Sequence, residues 1–123
     1  MTQPLALVFY ERLLPGTQLV NRLQDLGYRV QTVHAAEALV SVAEQEKPLI
    51  VLTDLESTKS KVCDAIVQLK QNPGTKHLPV IAFASEQQEE LQKAAGAAGA
   101  LVTGEVAILQ HLPQLLDQAL QLE

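Results

Sequence analysis

The chain has 123 residues, of which 47% are hydrophobic and 19% charged, with a formal net charge of −5 at pH 7. That length suits one domain spanning residues 1–123, and the acidic balance with 3% aromatic residues excludes both a phosphate-neutralising face and a base-stacking platform for nucleic acid. No apolar run approaches the roughly 20 residues that cross a bilayer, the first residues lack the basic and apolar segments of a secretion signal, and the lone Cys63 fits a reducing cytoplasm.

Taken in order, Leu5 to Tyr10 is an apolar run of strand length. Pro15-Gly16 then reads as punctuation before a helix over Thr17–Leu26, whose Leu19, Val20, Leu23 and Leu26 fall at helical spacing and whose end is marked by Gly27. Tyr28 to Val33 alternates and is rich in β-formers, as an edge strand would be. Ala35 to Glu46 repeats Ala38, Leu39, Val42 and Ala43 as a second amphipathic helix, closed by Pro48.

Leu49 to Thr53 is nearly free of polarity and runs into a carboxylate, Asp54, followed by the polar loop Leu55 to Ser60. Such a run predicts a strand buried on both faces of a parallel sheet. Val62, Ile66 and Leu69 mark a third helix, stopped by Asn72-Pro73-Gly74. Leu78 to Ala84 is a fourth strand, with Pro79 near its start. Ser85 and Gln88 have the spacing of a capping box, which predicts a fourth helix over Glu86–Ala98. Ala100 to Thr103 reads as a short fifth strand. Glu105 to Leu122 reads as a last helix, with a kink or break at Pro113. Leu122-Glu123 is a candidate for a vector-derived tail.

Five strands alternating with helices imply parallel pairing through right-handed crossovers. The expected fold is α/β, a doubly wound five-stranded sheet in the order 2-1-3-4-5 between two helical layers. Chemistry in such sheets sits at the carboxyl ends of the strands, where Asp54 stands. No nucleophile–base pair is visible, and His34, His77 and His111 lack ligand spacing, so neither an enzyme nor a zinc site is expected. Cys63 reads as a small apolar helix residue. A cofactor-binding flavodoxin-like domain is disfavoured, because the strand-end loops have no Gly-rich phosphate cradle.

Leu26 to Val30, Glu37 to Leu39, Pro48 to Leu55, Leu78 to Ile81 and Ala98 to Ala100 together resemble the CheY-like receiver domains of response regulators, over essentially the whole chain. The resemblance implies a domain of two-component signal transduction and phosphorelay, with Asp54 at the phosphoacceptor position and Tyr10-Glu11 where the family holds Mg²⁺ with acidic residues. It also implies a hydroxyl at Ala84, an aromatic near Leu101, a lysine at Gly104 and a Pro-Gly turn at Thr58-Lys59, and this sequence departs from the pattern at each. With the switch positions Ala84, Leu101 and Gly104 lost, the chain reads as a pseudo-receiver with no required cofactor and at most weak Mg²⁺ binding through Glu11 and Asp54. Tyr10 is expected to fill the pocket with its ring and expose its hydroxyl. Asp54 is a candidate to pair with Lys59 or Lys61, and Ser85 is weighed as a helix cap against a substitute for the missing hydroxyl.

The function expected is phosphorylation-independent binding of a signalling protein, a histidine kinase or an output domain, in the cytoplasm. The fourth helix, fifth strand and fifth helix are the expected partner face, with homodimerisation as another use of it. The alternative is a phosphorylatable receiver that accepts a phosphoryl group on Asp54 from a histidine kinase.

Overall fold

The computed structural model describes residues 4–10, 13–33, 35–56 and 62–121. The strands β1 (Leu5–Phe9), β2 (Arg29–Val33), β3 (Ile50–Asp54), β4 (Val80–Ala84) and β5 (Leu101–Gly104) form one sheet in the order β2-β1-β3-β4-β5. All four pairings are parallel, as the sequence predicts. Every residue of β3 and β4 is buried, which is why these runs carry no alternation. β2 alternates because it forms one edge, and the four-residue β5 is half-buried at the other.

The helices are α1 (Leu13–Asp25), α2 (Leu39–Glu46), α3 (Val62–Gln71), α4 (Glu89–Ala98), α5 (Glu105–Gln110) and α6 (Leu112–Gln121). Strand parity divides the core in two. Leu7, Phe9, Val51, Ala82 and Ala84 pack with Leu39, Ile66, Leu69 and Ala95 of α2, α3 and α4. Ala6, Val8, Tyr10, Ile50, Leu52, Ile81 and Phe83 pack with Leu19, Leu23, Ile108, Leu112 and Leu116 of α1, α5 and α6. At about 25 cal/mol per Å² of apolar surface removed from water, these two layers are the main favourable term in folding.

The helix ends depart from expectation in instructive ways. Pro15 and Gly16 do not precede α1 but lie in its first turn, where a missing proline N–H costs no intrahelical bond. The second helix begins as a 3₁₀ turn, Ala36–Ala38. β2, β4 and β5 each start one or two residues later than their apolar runs suggest. The last helix is broken, as Pro113 predicts: proline cannot donate to the carbonyl of Leu109, and the chain restarts through the Leu115 N–H to His111 O bond of 3.0 Å. A second proline effect closes α3. Pro73 leaves the Leu69 carbonyl without its helical donor, and the buried Thr75 Oγ1 donates to that oxygen at 2.7 Å instead.

Candidate functional site at the carboxyl ends of β3, β4 and β5

Asp54 is the last residue of β3 and is fully buried. A carboxylate removed from water must be hydrogen-bonded, and its Oδ1 accepts the Glu56 N–H at 3.0 Å. Beside it the β3–β4 ladder runs out. Its last backbone bond is Leu55 N–H to Phe83 O, 2.8 Å. Parallel alternation would next bring the Ser85 N–H to the Leu55 carbonyl. That N–H goes instead to Oε2 of Glu56 at 2.6 Å, a short charge-assisted bond between residues 29 apart in sequence.

Ser85 is tied down on its other sides as well. Its carbonyl accepts from the Gln88 N–H at 2.9 Å and Gln92 Nε2 at 3.2 Å, and its Oγ accepts from the Gln87 N–H at 3.3 Å. The hydroxyl thus closes a turn within its own loop. The expected Ser85–Gln88 capping box does not form: α4 starts one turn later, with Gln88 at its N-cap and Glu89 and Glu90 as the acidic residues of its first turn. The local pattern lost to the longer-range bond from Glu56.

A second carboxylate continues the pattern. Oε1 of Glu86 accepts the Val106 N–H at the start of α5, at 3.4 Å. It lies directly over Gly104, where a Cβ would collide with it. Gly104 has φ −76° and ψ 160°, a backbone open to any residue, and a side chain there would meet the end of the exposed Glu86 side chain. Glu56 and Glu86 do not emerge from sequence reasoning, since each acts on a partner at least 20 residues away. The one signal they leave is an acidic residue just beyond the end of a strand.

Of the residues singled out from sequence, Asp54, Ala84, Ser85 and Gly104 do converge at this end of the sheet. Ala84 is fully buried in the α3–α4 layer and presents a methyl group. Leu101 is half-buried on β5, packed against the opposite layer. Tyr10 is buried, at 8% exposure, with its ring laid against Gly16 of α1, where a Cβ would strike three ring atoms. Its ring is thus part of the α1 packing. Glu11, Thr58, Lys59 and Lys61 lie outside the described residues, and with them the metal and lysine-pairing expectations.

A divalent cation of the magnesium class needs several hard oxygen ligands. Among the described residues no group of three or more His, Cys, Asp and Glu is placed to hold one. Among the described residues the strand ends present Asp54 together with a Glu56 carboxylate that is engaged by Ser85. Away from the site, Cys63 is half-buried on α3 against the first core layer, as a small apolar residue would be. Burial and then the neighbouring Asp64 push its thiol pKa up. No helix among the described residues is long and apolar enough to cross a membrane.

No protein-family model matches the sequence, and no curated protein matches it. Solved structures do. The receiver domain of the sensor histidine kinase PA1611 from Pseudomonas aeruginosa, with a magnesium ion in its active-site cleft, superposes at a TM-score of 0.86 over 98% of this chain and 99% of that one, at 18% identity. The chain has the receiver fold. A candidate response regulator from Chloroflexus aurantiacus gives 0.88 at 18% identity over 98% and 99% of the two chains. The signal receiver domain of a modulated diguanylate cyclase from Desulfovibrio desulfuricans gives 0.81 at 22%, over 98% and 95%. At these identities the likeness carries the fold, and function has to be argued from the residues at the strand ends.

Proposed function

We propose that this receiver-fold chain is a signalling domain that binds a protein partner without being phosphorylated. The observation that carries this reading is the state of the two strand ends beside Asp54. Where the receiver pattern has a hydroxyl there is the buried methyl of Ala84, and where it has a lysine there is Gly104, covered by a carboxylate. A dianionic phosphoryl group on Asp54 would gain neither donor, and positioned donors and cations are what stabilise such a group. The Asp54 Oδ1 is itself engaged by the N–H of Glu56, whose side chain is committed to Ser85.

The partner would be a histidine kinase or an output domain. The surface offered to it is the face of α4, β5 and α5, which carries the half-exposed Val106 and a shallow groove of about 490 Å³ lined by Gln92, Lys93, Gly96, Leu101 and Val102. Self-association through the same face is a second use of that surface. Retention of Asp54 at the end of β3 is what favours the rival reading, a phosphoacceptor served by Mg²⁺.

An amide NMR titration with Mg²⁺ and then beryllofluoride separates the two. Unmoved resonances at Asp54 and over residues 84–105 are the expected result. Shifts that spread from Asp54 through Ser85 to α5 would show a working phosphoreceiver and overturn the proposal.

A further inference from the structure

The two glutamates suggest more than a missing switch. Glu56 leaves the end of β3 and takes an N–H at the end of β4; Glu86 leaves the end of β4 and takes an N–H at the start of α5. Each carboxylate therefore reaches from one strand-end loop to the next, and the two bonds are joined by the single peptide step from Ser85, the donor of the first, to Glu86, the acceptor of the second. The first bond replaces the rung that the Leu55 carbonyl would otherwise make, and the second uses the space left where residue 104 has no side chain.

We propose that Glu56 and Glu86 form a two-step carboxylate latch that holds the β4–α4 loop against β3 and α5 in one fixed arrangement. The inference rests on the phosphorylation-independent reading: it supplies the device by which the α4–β5–α5 face is preset without a signal. The latch is directional. Glu56 fixes Ser85, and a fixed Ser85 places Glu86 over Gly104. Loss of Glu56 therefore loosens both bonds, whereas loss of Glu86 loosens the second alone. Because the first bond is the shorter of the two and part-buried while the second is exposed, its loss is the larger event.

The test is amide hydrogen exchange followed by NMR in the full chain, on Glu56→Ala, Glu56→Gln, Glu86→Ala and Gly104→Ala. In Glu56→Ala, Ser85 exchange should accelerate about tenfold or more, as expected for loss of a hydrogen bond to a charged acceptor, and Val106 should accelerate with it. Glu56→Gln keeps an acceptor oxygen and should restore most of the protection at Ser85. Glu86→Ala should accelerate Val106 and leave Ser85 within about twofold. Gly104→Ala displaces the Glu86 carboxylate without altering it, and should reproduce the Val106 effect in a chain where both glutamates remain.

Leu52 and Ile81, buried in β3 and β4, report folding, and their exchange should not change. Unchanged Ser85 exchange in Glu56→Ala would refute the latch. Unchanged Val106 in that variant would refute the coupling between its two steps. Should Glu56→Ala loosen the core generally, the variants that keep Glu56 decide the matter: Val106 should accelerate in Glu86→Ala and Gly104→Ala with Ser85 unchanged, and unchanged Val106 exchange in both would refute the latch. None of these readings depends on beryllofluoride, so a wild-type response to that ion would overturn the proposed function while leaving the latch to be judged on exchange alone.

Discussion

Replacing Gly16 with alanine should destabilise this protein, although the same change in a helix usually stabilises. Gly16 lies within α1, and alanine is ordinarily favoured over glycine there by about 0.5–1 kcal/mol. Here the new methyl would fall on the ring of Tyr10, which is 92% removed from solvent and wedged between α1 and the sheet (8% exposed). Forcing a group into a filled core costs about 1–3 kcal/mol. The net expectation is a loss of about 1 kcal/mol. With an unfolding entropy near 2.1 cal/mol/K per residue over 123 residues, that lowers the Tm by about 4 °C.

The decisive form is a double-mutant cycle with Tyr10→Ala, read by urea denaturation at constant m. Tyr10→Ala alone should cost about 3 kcal/mol, the scale for deleting a buried aromatic. In that background Gly16→Ala should become stabilising, so its sign reverses and the coupling is about 2 kcal/mol. A Gly16→Ala that stabilises the wild type would show that only helix propensity is at work, and that the ring is not held where the packing places it.

Thr75→Val should cost about 1–3 kcal/mol, seen as a lower urea midpoint, because it leaves the Leu69 carbonyl without the hydroxyl that replaces the missing Pro73 donor. Lys47, a left-handed residue at φ 51° that closes α2, should gain about 0.5–1 kcal/mol on replacement by glycine, raising the Tm by about 2–4 °C. Cys63 should react with iodoacetamide several-fold more slowly than free cysteine at pH 8 and recover its rate in urea, since burial and then Asp64 both disfavour the thiolate. The sign for stability follows: as pH rises, the unfolded chain gives up this proton first, so the contribution of Cys63 falls on the alkaline side. Asp54→Asn should keep the Ser85 amide protected, because the side-chain oxygen can still accept the Glu56 N–H, whereas Asp54→Ala should expose it to exchange.

The sheet could be read from sequence because burial on both faces removes polar residues altogether: Leu7 to Phe9, Ile50 to Leu52 and Val80 to Phe83 are short apolar runs of strand length between polar or turn residues. The break at Pro113 was equally legible, since it follows from one missing donor. What could not be read depends on partners distant in sequence. Pro15-Gly16 looks like a turn locally, and only the ring of Tyr10 arriving from β1 shows why a glycine stands inside a helix. Ser85 and Gln88 look like a cap, and only the carboxylate from residue 56 shows why the helix waits until Glu89. Gly104 reads as a lost lysine, yet its role is defined by a side chain 18 positions earlier.

Asp54 and the departures around it are easier to understand as one arrangement than as separate losses. A buried carboxylate is expensive to keep, and here it holds the backbone of the residue whose own side chain reaches across to β4. If Asp54 orients Glu56, Glu56 fixes Ser85 and Glu86 covers Gly104, then each residue is constrained by the next. A side chain at 104 would have to displace the Glu86 carboxylate, which lies where its Cβ would stand. If the proposed latch holds, a change at any one of these residues would meet a neighbour engaged by the next.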